Sequence, residues 1–143
     1  MIAIIRSKFN EEITEKLLNG CVQSLIQQQI DYRVFECPGA VETVGYTKKI
    51  VAKLNPDAVI VIGAIIKGDT DHYEYVCNYV TQGHSFLSTQ IDIPVIFGIL
   101  TTQNEELALE RAAIDKMNKG KEFAETAVYM INTFINLKNV VGK

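Results

Sequence analysis

The amino-acid sequence predicts an α/β protein, a three-layer α/β/α sandwich around a four-stranded parallel sheet. Four short apolar runs alternate along the chain with longer segments in which apolar residues recur every three or four positions. Two of these runs, residues 58–62 and 95–100, are almost continuously apolar, which is typical of parallel strands buried on both faces. No repeat, low-complexity segment or linker interrupts this order, so residues 1–143 are predicted to form one domain.

The first half of the chain contains two strand–helix units. Residues 2–5 are predicted to form the first strand, and the helical spacing of the apolar residues that follow predicts a helix over residues 11–29. A short strand is predicted at residues 32–36, where a Pro-Gly pair ends it. The second helix is predicted over residues 40–53.

In the second half, an Asn-Pro-Asp break precedes the third strand at residues 58–62, and a third helix is predicted from about residue 71 to residue 90. The fourth strand is predicted at residues 95–100. A fourth helix is predicted over residues 104–117, because its first residue is an asparagine that can cap it, and a last helix is predicted over residues 121–137. This order of elements indicates right-handed crossovers and a flavodoxin-like fold.

Composition and charge limit the classes of function. Hydrophobic residues make up 48% of the chain and charged residues 22%, as in ordinary globular domains, and the net charge of −3 predicts no broad nucleic-acid surface. Three cysteines without a CxxC pair and only two histidines predict no metal site and reduced thiols, which fits a cytoplasmic protein. The apolar start, residues 1–5, is too short for a signal peptide or a membrane span.

The residues best suited to chemistry follow the first three predicted strands or close the fourth. They lie in residues 7–10, 37–42, 67–72 and 97–102. Because the carboxyl ends of parallel strands meet at one edge of a sheet, these groups are expected to outline one pocket. The pocket would hold an aromatic ring from Phe9, a carboxylate from Glu42, an anion-binding turn with a glycine and a lysine, and the imidazole of His72.

Each of these residues also has an ordinary structural interpretation. Phe9 could pack in the core, and Glu42 could stabilise the first turn of its helix. Asp71 and Glu74 could be an acidic variant of a capping box, and His72 could be a surface histidine. The remaining candidates have ordinary interpretations too. His84 would be a histidine away from the pocket, and Arg111 and Lys119 would be solvated cations.

Several segments resemble the 6,7-dimethyl-8-ribityllumazine synthase family. The most specific are Lys-Gly-x-Thr-x-His-Tyr at residues 67–73 and Phe-Gly-Ile-Leu-Thr-Thr at residues 97–102. Lys-Phe-Asn at residues 8–10 and Pro-Gly-Ala-x-Glu at residues 38–42 support them. The resemblance extends over nearly the whole chain, from residue 4 to about residue 131.

The resemblance implies a transferase that carries out the penultimate step of riboflavin biosynthesis. Such an enzyme condenses 5-amino-6-(D-ribitylamino)uracil with 3,4-dihydroxy-2-butanone 4-phosphate, releases phosphate and water, and needs no metal or organic cofactor. By resemblance, His72 is the catalytic residue that moves protons, and Phe9 stacks on the pyrimidine ring. The other substrate-binding residues that it implies are Asn10, Gly39, Ala40, Val41, Glu42, Ala64, Ile65, Ile66, Lys67, Phe97 and Lys119. The phosphate-binding residues that it implies are Gly68, Asp69, Thr70 and Arg111.

The resemblance also implies a homo-oligomer, either a pentamer or an assembly of pentamers. Phe97, Arg111 and Lys119 would then come from a neighbouring subunit, and riboflavin synthase would be a candidate partner; no nucleic acid or membrane partner is expected. The sequence departs from the family pattern at Val41, which stands where an aromatic residue is common, and at residues 27–31, which lack the usual helix-ending glycine.

Three alternatives remain at this point. An archaeal-type riboflavin synthase would bind two lumazines and hold no phosphate, which the turn at residues 67–72 argues against. A non-enzymatic flavin- or lumazine-binding module would not require His72 or Arg111. A pure shell-forming protein would need no substrate site at all.

Overall fold

The computed structural model describes residues 1–140, which form a four-stranded parallel sheet with helices on both faces. The elements are β1 (Ile2–Ser7), α1 (Glu11–Gln27), β2 (Tyr32–Cys37), α2 (Ala40–Leu54), β3 (Ala58–Ile66), α3 (His72–Gln90), β4 (Val95–Thr102), α4 (Glu105–Ala112) and α5 (Lys119–Val140). The strand order is β2-β1-β3-β4, and every neighbouring pair is parallel. The predicted three-layer sandwich is therefore confirmed.

Two hydrophobic cores fill the spaces on either side of the sheet. Because side chains alternate along a strand, Ile2 and Ile4 of β1 point into one core while Ala3 and Ile5 point into the other. The first core lies under α1, α4 and α5, and the second lies under α2 and α3. The central strands β1 and β3 are buried almost along their whole length, as their apolar sequences require.

The strand order reverses at the centre of the sheet. From β1 the chain first crosses to β2 on one side, then returns to β3 and β4 on the other side. The connection after β1 passes over the first core, and the connection after β3 passes over the second. The two connections leave the sheet edge in opposite directions, so a crevice opens between the carboxyl ends of β1 and β3.

The prediction that the fourth helix extends to residue 117 is wrong. It ends at Ala112, because Ala113 adopts an extended conformation, with φ −62° and ψ 134°. Turns follow, in which the amide of Asn118 donates to the carbonyl of Ala113 at 3.1 Å and Asn118 itself is left-handed, with φ 46°. This break redirects the chain so that α5, which begins at Lys119 rather than residue 121, packs against α1.

Several other element ends differ from the predicted ones by a few residues. β3 and β4 extend to Ile66 and Thr102, because their ladder continues to that pair. α1 ends at Gln27, and Gln29 adopts the left-handed conformation, with φ 57°, that glycine usually supplies. The amide of Gln29 donates to the carbonyl of Ile26, and the amide of Ile30 donates to the carbonyl of Leu25, each at 3.0 Å. These two bonds form a Schellman motif without a glycine.

α1 and α5 approach each other closely at two glycines. Gly20 of α1 and Gly120 of α5 are both buried. A Cβ atom on Gly120 would collide with the carbonyl oxygen of Leu17 and would lie 2.9 Å from the amide nitrogen of Cys21. The two backbones are therefore in contact, and no side chain fits between them at this point.

Gly120→Ala should destabilise the fold by roughly 1–3 kcal/mol, because the added methyl group must push α5 away from α1. Gly45→Ala is the matched control, since a Cβ at this exposed helical position meets nothing within 4 Å. That control should leave stability unchanged or raise it by about 0.5–1 kcal/mol through helix propensity. Urea unfolding at one fixed protein concentration measures both changes. Equal midpoints for the two variants would contradict the close approach of α1 and α5.

Candidate active site

A crevice of about 280 Å³ lies at the carboxyl edge of the sheet, where the strand order reverses. It is lined by residues from the loops after β1 and β2, from the end of β3 and from the starts of α2 and α3: Phe9, Asn10, Gly39, Ala40, Val41, Glu42, Ala64, Ile65, Ile66, His72 and Val76. All of these except Val76 were expected in the site, and Ala64, Ile65 and Ile66 among them were implied only by the family resemblance. Val76 could have been found as well, since it lies one helical turn after His72.

The loop after β1 is fastened to the loop after β2. The amide of Lys8 donates to the carbonyl of Cys37, and the amide of Phe9 donates to the carbonyl of Pro38, each at 2.9 Å. These bonds continue the β1–β2 ladder beyond the strands and hold Phe9 next to Gly39. The Phe9 side chain is 71% exposed, so the interpretation of this residue as core packing is wrong. An exposed ring at a crevice offers a face on which a planar ligand can stack.

Asn10 connects the same loop to β3. It is left-handed, with φ 58° and ψ 49°, and its side-chain amide donates to the carbonyl of Ala64 at 2.8 Å. Asparagine tolerates this conformation better than most residues because its short polar side chain can bond locally. Asn10 therefore fixes the mouth of the crevice between β1 and β3.

The carboxylate of Glu42 folds back over the N-terminus of α2. Gly39 is the N-cap in an extended conformation and provides no side-chain hydrogen bond to the helix. A Cβ atom on Gly39 would lie 2.9 Å from Oε2 of Glu42, so the glycine leaves the space that this carboxylate occupies. The amides of the first turn and the Glu42 carboxylate thus lie together on one wall of the crevice.

The turn from β3 to α3 runs between two residues that line the crevice, Ile66 and His72. Its residues 67–70 are exposed, and the hydroxyl of Thr70 accepts a hydrogen bond from the amide of His72 at 3.3 Å. Asp71 is the N-cap of α3 but its side chain makes no capping bond, so the capping-box interpretation is wrong. The turn is therefore an open border of the crevice with His72 in the first turn of the following helix.

Three of the expected site residues lie elsewhere in the chain. Phe97 is 40% exposed on β4 and packs edge-on against His84, with ring centroids 6.0 Å apart. Nη1 of Arg111 donates to the carbonyl of Leu107 at 3.0 Å, within α4. Nζ of Lys119 lies 2.9 Å from a carboxylate oxygen one turn later in α5. None of the three contributes to the lining of the crevice.

A buried arginine supports the crevice from below. Arg6 lies near the end of β1, and only 6% of it is exposed. Its guanidinium donates to carboxylates of Glu36 and Glu11 at 3.0 Å each and to the hydroxyl of Thr14 at 3.3 Å. These bonds join β1, β2 and α1 just before the chain enters the loop that carries Phe9. The sequence offers no local signal for this network, because its partners are separated along the chain by up to 30 residues.

His84 is a buried residue rather than a surface one. Only 3% of it is exposed, and it lies on the inward stripe of α3 with Val80 and Leu87. Its Nε2 lies 2.9 Å from the hydroxyl of Thr43, and burial lowers the pKa of the imidazole to about 4. The spacing of these three residues, four and then three apart, is the signal that could have predicted its burial.

The cysteines and the acidic residues offer no second reactive centre. Cys21, Cys37 and Cys77 are all free thiols, and burial raises the pKa of Cys21 to about 12 and that of Cys37 to about 11. Such thiols stay protonated at neutral pH. Within residues 1–140, no three His, Cys, Asp or Glu side chains converge as ligands of one metal ion. No helix in the same range is long and apolar enough to cross a bilayer.

The free energy of unfolding should decrease as the pH falls from about 6.5 to about 4. The pKa of His84 is depressed to about 4 in the folded protein from an ordinary value of 6.5, so in this range the unfolded chain binds a proton that the folded chain does not. His84→Leu should remove this part of the pH dependence, and Ser85→Ala, at an exposed neighbouring position, should keep it. Urea midpoints at pH 7.5 and pH 5 measure the difference. An unchanged pH dependence in His84→Leu would contradict a neutral buried imidazole.

One comparison with known proteins identifies a family. A family model described as 6,7-dimethyl-8-ribityllumazine synthase matches residues 1–134 of the 143-residue chain. The match includes every strand of the sheet, all residues that line the crevice, and also Phe97, Arg111 and Lys119.

Proposed function

This chain belongs to the 6,7-dimethyl-8-ribityllumazine synthase family, and we propose that the crevice between β1 and β3 is its active site. The enzyme is a transferase of riboflavin biosynthesis: it condenses 5-amino-6-(D-ribitylamino)uracil with 3,4-dihydroxy-2-butanone 4-phosphate to 6,7-dimethyl-8-ribityllumazine and releases phosphate and water. Family membership supports this activity rather than riboflavin synthase or a non-enzymatic binding module. The observation that carries the site assignment is the convergence of Phe9, Glu42 and His72 on one crevice at the reversal of strand order.

The uracil ring is proposed to stack on Phe9. The exposed ring of Phe9 is held beside the first turn of α2, whose amides have no side-chain cap, so a planar heterocycle can pair its carbonyl oxygens with them. Val41, in place of a larger aromatic residue, completes an apolar wall with Ile65. Stacking and backbone hydrogen bonds together suit a flat ring with several polar edges.

The ribityl chain is proposed to extend along the end of β3. Its hydroxyl groups need acceptors and donors, which Glu42, Asn10 and the backbone of residues 64–66 can provide. Asn10 already donates to Ala64, so this part of the site is fixed before the substrate arrives. Such preorganisation reduces the entropy lost on binding.

The phosphate of the second substrate is proposed to bind at the turn formed by Lys67, Gly68, Asp69 and Thr70. The turn is open to solvent and precedes a helix N-terminus, which favours an anion.

However, Asp69 and Asp71 repel a phosphate, and Lys67 alone offsets only one of them. A further cation is therefore needed, and the Arg111 of a neighbouring subunit is the proposed source. Within residues 1–140, Arg111 forms no ion pair with a carboxylate. Its Nη1 donates to the carbonyl of Leu107, which leaves the edge formed by Nε and Nη2 for a phosphate.

His72 is proposed to transfer protons. The amine of the uracil attacks the ketone, water leaves as the imine forms, and elimination of phosphate and ring closure follow. Each of these steps moves a proton, and an imidazole can donate or accept one near neutral pH. The first-turn position of His72 brings it to the same crevice as the proposed uracil and phosphate sites. No metal or organic cofactor is proposed for these steps.

The enzyme is proposed to act in the cytoplasm as a homopentamer, or as an assembly of pentamers, of single-domain subunits. Phe97, Arg111 and Lys119 lie outside their own chain's crevice, and a head-to-tail ring can bring them to the crevice of the next subunit. The exposed aromatic side chains of Tyr75 and Phe86 on α3 support a contact surface, since each is more than half exposed. Riboflavin synthase is a candidate partner, because it consumes the product.

His72→Ala should lower kcat by on the order of 100-fold, which is the lower end of the usual contribution of general acid–base catalysis. Residual activity is expected, because proximity of the two bound substrates remains. Glu74→Gln is the control, as it alters an exposed side chain in the same helical turn. Steady-state lumazine absorbance with both substrates saturating gives the result. Unchanged turnover in His72→Ala would exclude the proposed role.

Phe9→Ala should raise KM for the uracil substrate by about tenfold, because a stacked aromatic face is lost. Phe9→Tyr is the matched control, and it should stay within about twofold of the wild type because the ring face is kept. Titration with the uracil substrate or the lumazine product checks both values. If Phe9→Ala binds the uracil as tightly as the wild type, the ring lies outside the substrate site.

Arg111→Ala should raise KM for the butanone phosphate by about tenfold or more while changing uracil affinity by less than about threefold. The guanidinium fork can bind phosphate with two parallel hydrogen bonds, so Arg111→Lys should recover only part of the loss. Inhibition by inorganic phosphate should weaken in parallel with the rise in KM. Kinetics of the phosphate substrate that are identical in Arg111→Ala and the wild type would show Arg111 to be a solvated cation.

A further inference from the structure

The hydrogen bond between His84 and Thr43 joins two helices behind the crevice. His84 belongs to α3 and Thr43 to α2, and both are buried, with 3% and 0% of their surface exposed. Nε2 of His84 lies 2.9 Å from Oγ1 of Thr43. The residues beside them, Gly83 and Val44, also touch, because a Cβ on Gly83 would lie 2.7 Å from Cγ1 of Val44. The two helices are therefore in close contact at this level, with one polar bond between them.

The neighbouring hydrogen bond determines which nitrogen of His84 carries the proton. The hydroxyl of Thr43 donates to the carbonyl of Ala40 at 2.5 Å, and a hydroxyl has only one proton to donate. Thr43 must therefore accept from His84, so the proton lies on Nε2 of the imidazole. A directed chain results, from His84 through Thr43 to the backbone of Ala40. In such a chain each bond polarises the next and strengthens it.

This chain of hydrogen bonds ends at the wall of the proposed uracil site. Ala40 is the first residue of α2 and lines the crevice together with Gly39, Val41 and Glu42. The N-cap residue of this helix provides no side-chain hydrogen bond, so the first turn has no cap of its own. The hydrogen bonds that run from His84 through Thr43 thus stabilise a turn that would otherwise be free to fray.

Stability alone does not account for an imidazole at this position. Nδ1 of His84 is buried and has no hydrogen-bond partner within residues 1–140. An unpartnered buried nitrogen destabilises a fold, whereas an apolar side chain of similar size would fill the same space without that cost. The neutral imidazole is therefore better explained by the hydrogen bond through which its Nε2 holds Thr43 in place.

We propose that His84 is a positioning residue of the active site, which fixes the first turn of α2 through Thr43 and so sets the geometry of the uracil pocket. The inference rests on the proposed function, since it takes the crevice to be the uracil site. It adds a residue with no substrate contact, about which the family resemblance implied nothing. The expected effect is selective: uracil binding should change, and the chemical step should change little.

Two substitutions of His84 separate the hydrogen bond from the ring. His84→Phe keeps an aromatic ring against Phe97 but removes the N–H donor, whereas His84→Gln keeps an N–H donor at a similar reach and removes the ring. His84→Phe should raise KM for the uracil substrate by roughly fivefold to tenfold, the factor expected for one lost hydrogen bond, with kcat within about twofold. His84→Gln should bring KM back to within about twofold of the wild type. Ser85→Ala, an exposed neighbour on α3, should leave both parameters unchanged.

Thr43→Val tests the same chain from its other end. It should raise KM for the uracil to a similar extent, and the double variant Thr43→Val/His84→Phe should be no worse than either single variant, because the two residues act as one unit. If Thr43→Val does not fold, because it leaves the imidazole N–H buried without a partner, His84→Phe and His84→Gln still decide the question. If the two increases in KM multiply in the double variant, the two residues do not act as one unit and the proposal is wrong. An unchanged KM for the uracil substrate in His84→Phe would also overturn it.

The same series distinguishes failure of this inference from failure of the proposed site. If Phe9→Ala weakens uracil binding but His84→Phe does not, the crevice is the uracil site and His84 only fills space. If neither variant alters uracil binding, the crevice assignment itself is wrong, and the positioning role is wrong with it. A lower urea midpoint in His84→Phe with an unchanged KM for the uracil substrate would likewise show that His84 only fills space.

Discussion

The site depends on one topological constraint, the reversal of strand order between β1 and β3. Parallel strands place their carboxyl ends at the same edge, but only at the reversal do the adjacent connections depart to opposite faces. The gap that opens there is the space a substrate can enter without breaking the two cores. Every residue that lines the crevice lies at the end of one of three strands, in the loop that follows the strand, or in the first turns of the next helix.

The crevice is rigid because its walls are bonded to one another. The loop after β1 is held to β2 by two backbone bonds and to β3 by the Asn10 side chain. Arg6 secures the base of that loop to two carboxylates, and His84 secures the first turn of α2 from behind. In the proposed reaction, which brings two substrates together, such walls would hold both in position. The open border at residues 67–70 is then the part that a neighbouring subunit is proposed to complete with its Arg111.

The sequence predicted the fold and most of the crevice, because both depend on periodicity and on the ends of strands. It could not predict where α4 stops, since Ala113 is a helix-favouring residue and carries no helix-breaking side chain. Gln29 shows the same limit: it fills a left-handed position for which the sequence offers no glycine. Arg6 and His84 were missed as partners, because their bonds join residues that are far apart in the chain.

Mixed rings of two inactive variants test the central claim, a site shared between subunits, most directly. His72→Ala and Arg111→Ala would be unfolded together, reassembled, and assayed after native mass spectrometry has verified that both chains are present in each assembly. Activity should return in part, because some crevices combine an intact His72 from one chain with an intact Arg111 from its neighbour. Verified mixed assemblies without activity, or a fully active wild-type monomer, would contradict it.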